Sequence, residues 1–436
     1  MSNKFNTEPT VSVGIMSAVE LRFNFHGAYE ADGALVEGRQ SATVNPDGTI
    51  LWNGSSYPEL QFNATSPKCF FLLEDVTIGV DFHWERKESQ VFRGNLRVLG
   101  GTDLTAVNIV PVEAYLESVI SSEMSATASD ALLRAHAVIS RSWLLAQIGE
   151  KGERSTDGMT DTADERIVWY DRDNHDRFDV CADDHCQRYQ GITRQTTPAV
   201  ADAVNATRGI VLTDTDGNLA DARFSKCCGG VFEEFESCWQ PRHFHYLEAR
   251  SDSRHPMEYP DLRKEENARQ WIMGKPEAFC NVTDKAVLRQ VLNHYDQETP
   301  DFFRWKVVYD QETISRIVRE RSGIDFGAIT ALEPLERGTS GRIIRLRITG
   351  TKRSMIIGKE LEIRRTLSES HLYSSAFVPE MSDADGIPAT ITLYGAGWGH
   401  GVGLCQIGAA AMGAQGYGYE EILRHYFPGA DLTTLY

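Results

Sequence analysis

Two histidines and two cysteines fall within twelve residues, at His175, Cys181, His185 and Cys186, spaced H-x5-C-x3-H-C. Imidazole nitrogen and thiolate sulfur are the donors tetrahedral zinc prefers, and four of them close its shell. Asp173, Asp176, Asp179, Asp183 and Asp184 crowd the same stretch, and their negative charge favours a cation. The spacing is tighter than that of zinc fingers, so no finger is implied. The competing reading is a redox-inert loop with surface histidines and one local disulfide. Zinc in a structural role is the expectation, because a closed four-ligand shell leaves no open position for substrate or activated water.

A second candidate is a single carboxylate. Val112, Leu116 and Val119 are spaced i, i+4, i+7, with Tyr115, Ile120 and Met124 widening the stripe, which predicts an amphipathic helix beginning near Pro111. The next position on that stripe is Glu123. A carboxyl group continuing an apolar face is desolvated or sits at the rim of a cleft, the environment a general acid needs at neutral pH. The alternative is a helix-end glutamate turned out to solvent. A second helix is expected from about Ala131 to Gln147, after the capping-rich run Ser125–Asp130. Arg134, Val138, Arg141 and Leu145 share one of its faces, and a cation there would restrain Glu123 or bind substrate. Near the C-terminus, glycine occupies every second position from 395 to 403, around Trp398 and His400. This is not the dinucleotide fingerprint. Alternate glycines strip one face of side chains, leaving an indole and an imidazole on the other face for a sugar ring. The alternative is a tight structural turn.

The elements that must position these groups divide the chain into four segments. Residues 1–108 read as a β-rich unit: Val11–Ile15 and Ala42–Val44 alternate, and Asn45-Pro46-Asp47-Gly48 is a strong turn before Thr49–Trp52. Residues 109–240 hold the catalytic helices and the zinc segment. Residues 241–380 are mixed, with helical spacing at Glu265–Met273 and Ile314–Arg321 and an alternating strand at 341–348. Residues 381–436 carry the Gly-Trp-Gly-His tail, expected to complete the catalytic cleft. The fold class is α+β. At 436 residues the chain is long enough for two or three domains. A net charge of −18 argues against nucleic acid and anionic membrane surfaces, and no apolar run reaches the length of a membrane span. Eight cysteines do not make a disulfide scaffold. The adjacent pair Cys227-Cys228 is of a kind more often reduced, split between partners or metal-bound than joined.

These segments together resemble the stage II sporulation protein D family, which includes amidase enhancers. The resemblance rests on Val91–Leu96, Val107–Met124, Ala135–Trp143, Tyr189-Gln190-Gly191, Ala203–Gly209, Gly229-Gly230 and Ser340-Gly341-Arg342 in family order. Its most specific part is Gly397-Trp398-Gly399-His400-Gly401-Val402-Gly403 with Gln406 and Gly408-Ala409. It implies a peptidoglycan lytic transglycosylase, cutting the β-1,4 link from N-acetylmuramic acid to N-acetylglucosamine and leaving 1,6-anhydro ends. Glu123 matches the catalytic acid, and His175, Cys181, His185 and Cys186 match the zinc cluster of some members. Arg141, Trp398, His400 and Gln406 are the expected substrate-binding residues. The partners implied are glycan strands or wall fragments and, in the amidase-enhancer reading, a cell-wall amidase. The family implies the cell envelope, whereas Met1–Pro9 lacks a basic region followed by an apolar segment, which leaves a cytoplasmic location open. The chain departs from the pattern at Phe224, where an aromatic residue, often tyrosine, is expected, at Ser225-Lys226-Cys227-Cys228, where a serine-rich run is usual, and at Cys405, which replaces a serine.

Overall fold

A computed structural model describes all residues except 1–4, 79–85, 126, 150–157, 171–174, 184, 196, 256–257, 292–300 and 383–385. Asp173 and Asp184, two of the acids expected around the zinc segment, lie outside the described residues. The chain forms two compact units. One comprises 1–149, 174–211 and 432–436; the other comprises 150–173 and 212–431. Of the four sequence segments, 1–108 belongs to the first unit and 241–380 to the second, while 109–240 and 381–436 contribute to both.

The first unit is built on an eleven-stranded sheet. From one edge its order is Val180–Cys181, Thr10–Ala18, Leu104–Pro111, Asn95–Leu99, Glu59–Ala64, Glu20–Ala31, Ala34–Val44, Ile50–Trp52 and Ser55–Tyr57, with Phe70–Ile78 pairing both Glu20–Ala31 and Arg86–Arg93. The alternation legible in the sequence becomes alternation of burial. In Glu20–Ala31 the side chains of Leu21, Phe23, Phe25, Tyr29 and Ala31 turn inward, and Phe25 stacks on Tyr29 at 4.2 Å. The turn at Asn45–Gly48 closes through the Gly48 N–H donating to the Asn45 carbonyl at 2.9 Å, with Gly48 at φ 83°.

Two helices follow the strand Leu104–Pro111: α1 (Val112–Glu123) and α2 (Asp130–Gly149). Pro111 caps α1, and the Glu8 carboxylate accepts the Glu113 N–H at 3.0 Å, an acid placed at the positive end of the helix dipole. Val112, Tyr115, Leu116, Val119 and Ile120 are fully buried. The predicted stripe is therefore the core-facing side of α1.

The second unit has a five-stranded sheet ordered Met159–Asp161, Glu165–Val168, Ser354–Gly358, Ile343–Gly350, Ile329–Arg337, and a three-stranded sheet with Thr390–Ala396 between Arg304–Asp310 and Phe377–Met381. The helix Gln311–Ser322 is capped by Asp310, which accepts the Thr313 N–H at 2.7 Å, and ends at Gly323 with φ 71°. Ile314 and Val318 from this helix join Leu346, Ile348, Ile391 and Leu393 in one core. The protein is thus α+β with a β-rich N-terminal unit. Among the described residues no helix is long and apolar enough to cross a membrane.

Candidate active site and metal centre

The zinc-type segment is pinned to the edge of the large sheet. Val180 and Cys181 pair in parallel with Val13 and Gly14. The Ser12 N–H and hydroxyl donate to the Asp179 carboxylate at 2.8 and 2.6 Å. Phe178 lies over Gly14, where a Cβ would come within 2.4 Å of its ring, so only glycine fits beneath it. Phe178 also stacks on His175 at 4.7 Å. This anchoring brings the ligand atoms of His175, Cys181, His185 and Cys186 within 4.8 Å of one another. His175 Nε2 is 3.4 Å from Cys186 Sγ, and His185 Nδ1 is 3.5 Å from Cys186 Sγ and 3.9 Å from Cys181 Sγ. The Cys181 N–H points at Cys186 Sγ, 3.4 Å away. Contacts with Cys186, and then with His175 and His185, hold the Cys181 thiol far below its usual pKa against the opposing effect of burial. Two sulfurs and two imidazoles converging at this spacing fit a tetrahedral zinc ion.

Glu123 is the last residue of α1 and is half-buried. The chain turns away at Met124, which is extended, and no basic residue lies in the last turn. The carboxyl group thus sits at the negative end of the helix dipole. Tyr115, two turns earlier, is buried. Burial pushes its phenol pKa well up, and the charges of Cys186, Cys181 and Glu123 all act in the same sense. Tyr115 stacks on Tyr189 at 5.1 Å and 13° and faces Gln187, so α1 packs directly on the chain that leaves the cysteine segment. Glu117, also on α1, is a carboxylate whose pKa is raised by burial; it accepts a hydrogen bond from Gln195 at 3.3 Å. Its off-stripe position hid it from the periodicity argument.

Arg141 corrects an expectation. It is fully buried and its guanidinium is committed within the protein. Nε and Nη2 donate to the two Glu113 oxygens at 2.9 and 2.6 Å, and Nη1 donates to the Ile210 carbonyl at 2.9 Å. Periodicity did not disclose what Arg141 faces: it neutralises a buried carboxylate, and its donors are spent within the protein. Gln406 is likewise buried, at the start of the helix Gln406–Ala414.

The glycine tail is a different object from a bare strand. The strand stops at Ala396, and Gly397, Gly399, Gly401 and Gly403 all take positive φ, between 70° and 90°. A Cβ at Gly401 would come within 2.4 Å of the Arg342 guanidinium, and one at Gly403 within 2.2 Å of the Arg223 carbonyl. The glycines permit left-handed turns pressed against neighbouring backbone. Buried Arg342 holds the tail, donating to the carbonyls of Gly399 at 3.1 Å and Cys228 at 3.2 Å. Buried Glu233 in turn accepts from Ser340, Thr339 and Ser237. Trp398 is half-buried, stacked on Tyr373 at 4.3 Å and near Phe302 at 4.8 Å. His400 accepts the Val402 N–H at Nδ1 and hydrogen-bonds the Phe224 backbone. Burial, reinforced by Arg223, Arg342 and Arg364, keeps its pKa well below the ordinary value.

Comparison with known proteins follows this geometry. Residues 100–213, which contain α1, α2 and the cysteine–histidine segment, match the family described as Stage II sporulation protein. The chain is similar to the stage II sporulation protein D and amidase-enhancer proteins. The stage II sporulation protein D of Bacillus amyloliquefaciens is 23% identical over 330 residues, covering 75% of this chain and 76% of that protein. The Amidase enhancer of Bacillus subtilis (strain 168) is 26% identical over 244 residues, covering 53% of this chain. The match spans only 32% of the amidase enhancer's length. Residues 233–403, including most of the glycine tail, match a domain family of unknown function.

Within this sporulation protein D-like chain, the departures noted in the sequence gather in one place. Phe224-Ser225 pairs in parallel with Leu404-Cys405, and Cys227 bridges Trp398 through both backbone groups, at 3.0 and 2.8 Å. Neither Glu113 nor the Glu233–Arg342 network was found from the sequence. Their partners are distant in the chain, and nothing in local spacing marks them.

Proposed function

We propose that this protein is a peptidoglycan lytic transglycosylase in which Glu123 is the single general acid and base. The observation that carries the reading is Glu123 at the C-terminal rim of a buried apolar stripe, inside the segment that matches the sporulation protein family. The family supports a cell-wall function. Glycoside hydrolases generally need two carboxyl groups, one of them to activate water or attack the sugar. Glu123 alone suffices for the lytic reaction. It donates its proton to the glycosidic oxygen as the bond to C1 of N-acetylmuramic acid breaks. The resulting carboxylate then takes the proton of the same sugar's 6-hydroxyl as O6 closes on C1. The intramolecular nucleophile replaces water and brings a high effective molarity.

His175, Cys181, His185 and Cys186 would hold a zinc ion, which supplies a structural cross-link between the segment and the sheet edge. Of the tail residues expected to bind substrate, Trp398 is kept as a stacking surface, through the part of its indole left uncovered by Tyr373 and Phe302. His400 is assigned to shaping the tail.

The deciding experiment is mass spectrometry of purified glycan strands after incubation with the protein. Anhydro ends are expected; reducing ends would indicate a hydrolase. Intact strands would favour the second reading, a non-catalytic amidase enhancer that binds glycan or a wall amidase, which the match to the Bacillus subtilis amidase enhancer keeps in view.

A further inference from the structure

Four polar side chains converge in the second unit at a point the proposed reaction does not use. The Sγ atoms of Cys228, Cys280 and Cys405 and a carboxylate oxygen of Asp252 all lie within 4.8 Å of one another, and all four residues are buried. Cys228 Sγ is 3.5 Å from Cys280 Sγ and 3.5 Å from Asp252 Oδ2. Ligands at about 2.0–2.3 Å from a tetrahedral zinc ion stand roughly 3.5–3.8 Å apart, so these separations are those of a coordination shell. We infer that Cys228, Cys280, Cys405 and Asp252 form a second transition-metal site of the zinc class, separate from the cysteine–histidine segment.

Three further observations support it. First, backbone N–H groups are directed at two of the sulfurs: the Cys228 N–H points at Cys405 Sγ at 3.3 Å, and the Gly230 N–H points at Cys228 Sγ at 3.4 Å. Backbone N–H groups directed at sulfur stabilise thiolates, the form that binds metal. Second, the carboxylate is oriented by an outer shell. Asp252 Oδ2 accepts the Cys280 N–H at 3.0 Å, while Oδ1 accepts the Tyr426 hydroxyl at 3.0 Å and lies 3.3 Å from His425 Nε2. Third, Asp252 is fully buried, and its ion-pair partner among the described residues is His425, a group charged only when protonated. Burying a carboxylate among three thiols is costly unless its charge is matched, and a bound divalent ion supplies such a match. Cys227 adjoins Cys280 and Cys405 and adds a fourth sulfur beside the set.

The main alternative is a Cys228–Cys280 disulfide. All eight cysteines are free thiols, and 3.5 Å is well beyond the bonded S–S distance of about 2.05 Å. A disulfide would also leave the convergence of Cys405 and Asp252 on the same point without a cause. The ligands come from four separate stretches of chain, so the metal would tie together segments that share little regular structure.

The test is elemental analysis of the full chain purified without chelator, together with Cys186→Ser and Cys280→Ser variants and a thiol count on denatured, metal-free protein. Two zinc ions in the parent, one in each variant and eight free thiols are the expected result. A Cys186→Ser protein with no zinc, a Cys280→Ser protein with the parent's full zinc content, or a thiol count of six would overturn the inference. If Cys280→Ser does not fold, cobalt is loaded into Cys186→Ser instead. A thiolate-to-cobalt charge-transfer band at one equivalent is expected, and its absence is equally fatal.

Discussion

Arg141 and Glu113 face each other across α2 and α1 in the protein interior, with Nη2 to Oε2 at 2.6 Å and Nε to Oε1 at 2.9 Å. Neither group reaches solvent to any useful extent, and Glu113 also accepts from the Tyr436 hydroxyl at 2.6 Å and the Gly209 N–H at 3.3 Å. The pair fastens both helices to the chain's last residue and to the segment after the second cysteine. Removing one member of such a pair strands the other, at a cost of about 3–5 kcal/mol. Glu113→Ala should lose about that much in urea unfolding, and an Arg141→Met, Glu113→Met double variant should recover a large part of it. A loss below about 1 kcal/mol in Glu113→Ala would show that the pair is not the fastener.

How far the sequence could be read depends on how local each feature is. Strand Thr10–Ala18, helix Glu265–Met273 and the turn at Asn45–Gly48 follow from periodicity and turn chemistry over a few residues, and the structure has them there. The stripe of α1 was legible for the same reason. Arg141 was placed on the right helix but given the wrong partner, because Glu113 lies 28 positions away and its burial leaves no local mark. The glycine tail misled through its regular spacing: alternate glycines suit a bare strand, but positive φ at four of them makes a turned segment whose neighbours come from residues 223–228 and Arg342. Cys228 and Cys405 meet across 177 positions, a convergence that only folding discloses.

Glu123→Gln should keep the fold and abolish formation of anhydro ends. A positioned general acid contributes on the order of 10²–10⁴ in rate, and here one group serves as both acid and base, so the upper part of that range is expected. Glu117→Gln is the companion variant, because Glu117 is a partly buried carboxyl with its own raised pKa on the same helix. Turnover measured by mass spectrometry should survive in Glu117→Gln. The reverse pattern, with Glu123→Gln active and Glu117→Gln dead, would move the acid along α1 by six residues.

Cys181→Ser should lower thermal stability more than it changes the chemistry. Cys181 belongs both to the ligand cluster and to the strand pairing with Gly14, so loss of metal would loosen the segment at the sheet edge without touching Glu123 directly. Chelator added to the parent protein should shift the melting temperature in the same direction and leave Cys181→Ser nearly unmoved. Unchanged stability with lost turnover in the variant would make the metal part of the reaction.

His400 provides a test by pH. Burial, with Arg223, Arg342 and Arg364 adding to it, lowers the folded-state pKa well below the ordinary 6.5. Between the two values the unfolded chain binds a proton at this ring and the folded chain does not. Folding is therefore favoured above the unfolded-state pKa, and that contribution is lost as pH falls from about 6.5 toward the folded value. The slope from this one residue is at most about 1.4 kcal/mol per pH unit. His400→Asn retains an acceptor for the Val402 N–H but has no titrating group. Its unfolding free energy should fall less steeply than that of the parent below pH ~6.5, while the two curves run parallel above it. Parallel curves across the whole range would mean that the folded ring titrates normally, as an imidazole open to solvent and substrate would. That result would return His400 to the substrate-binding role its sequence context first suggested.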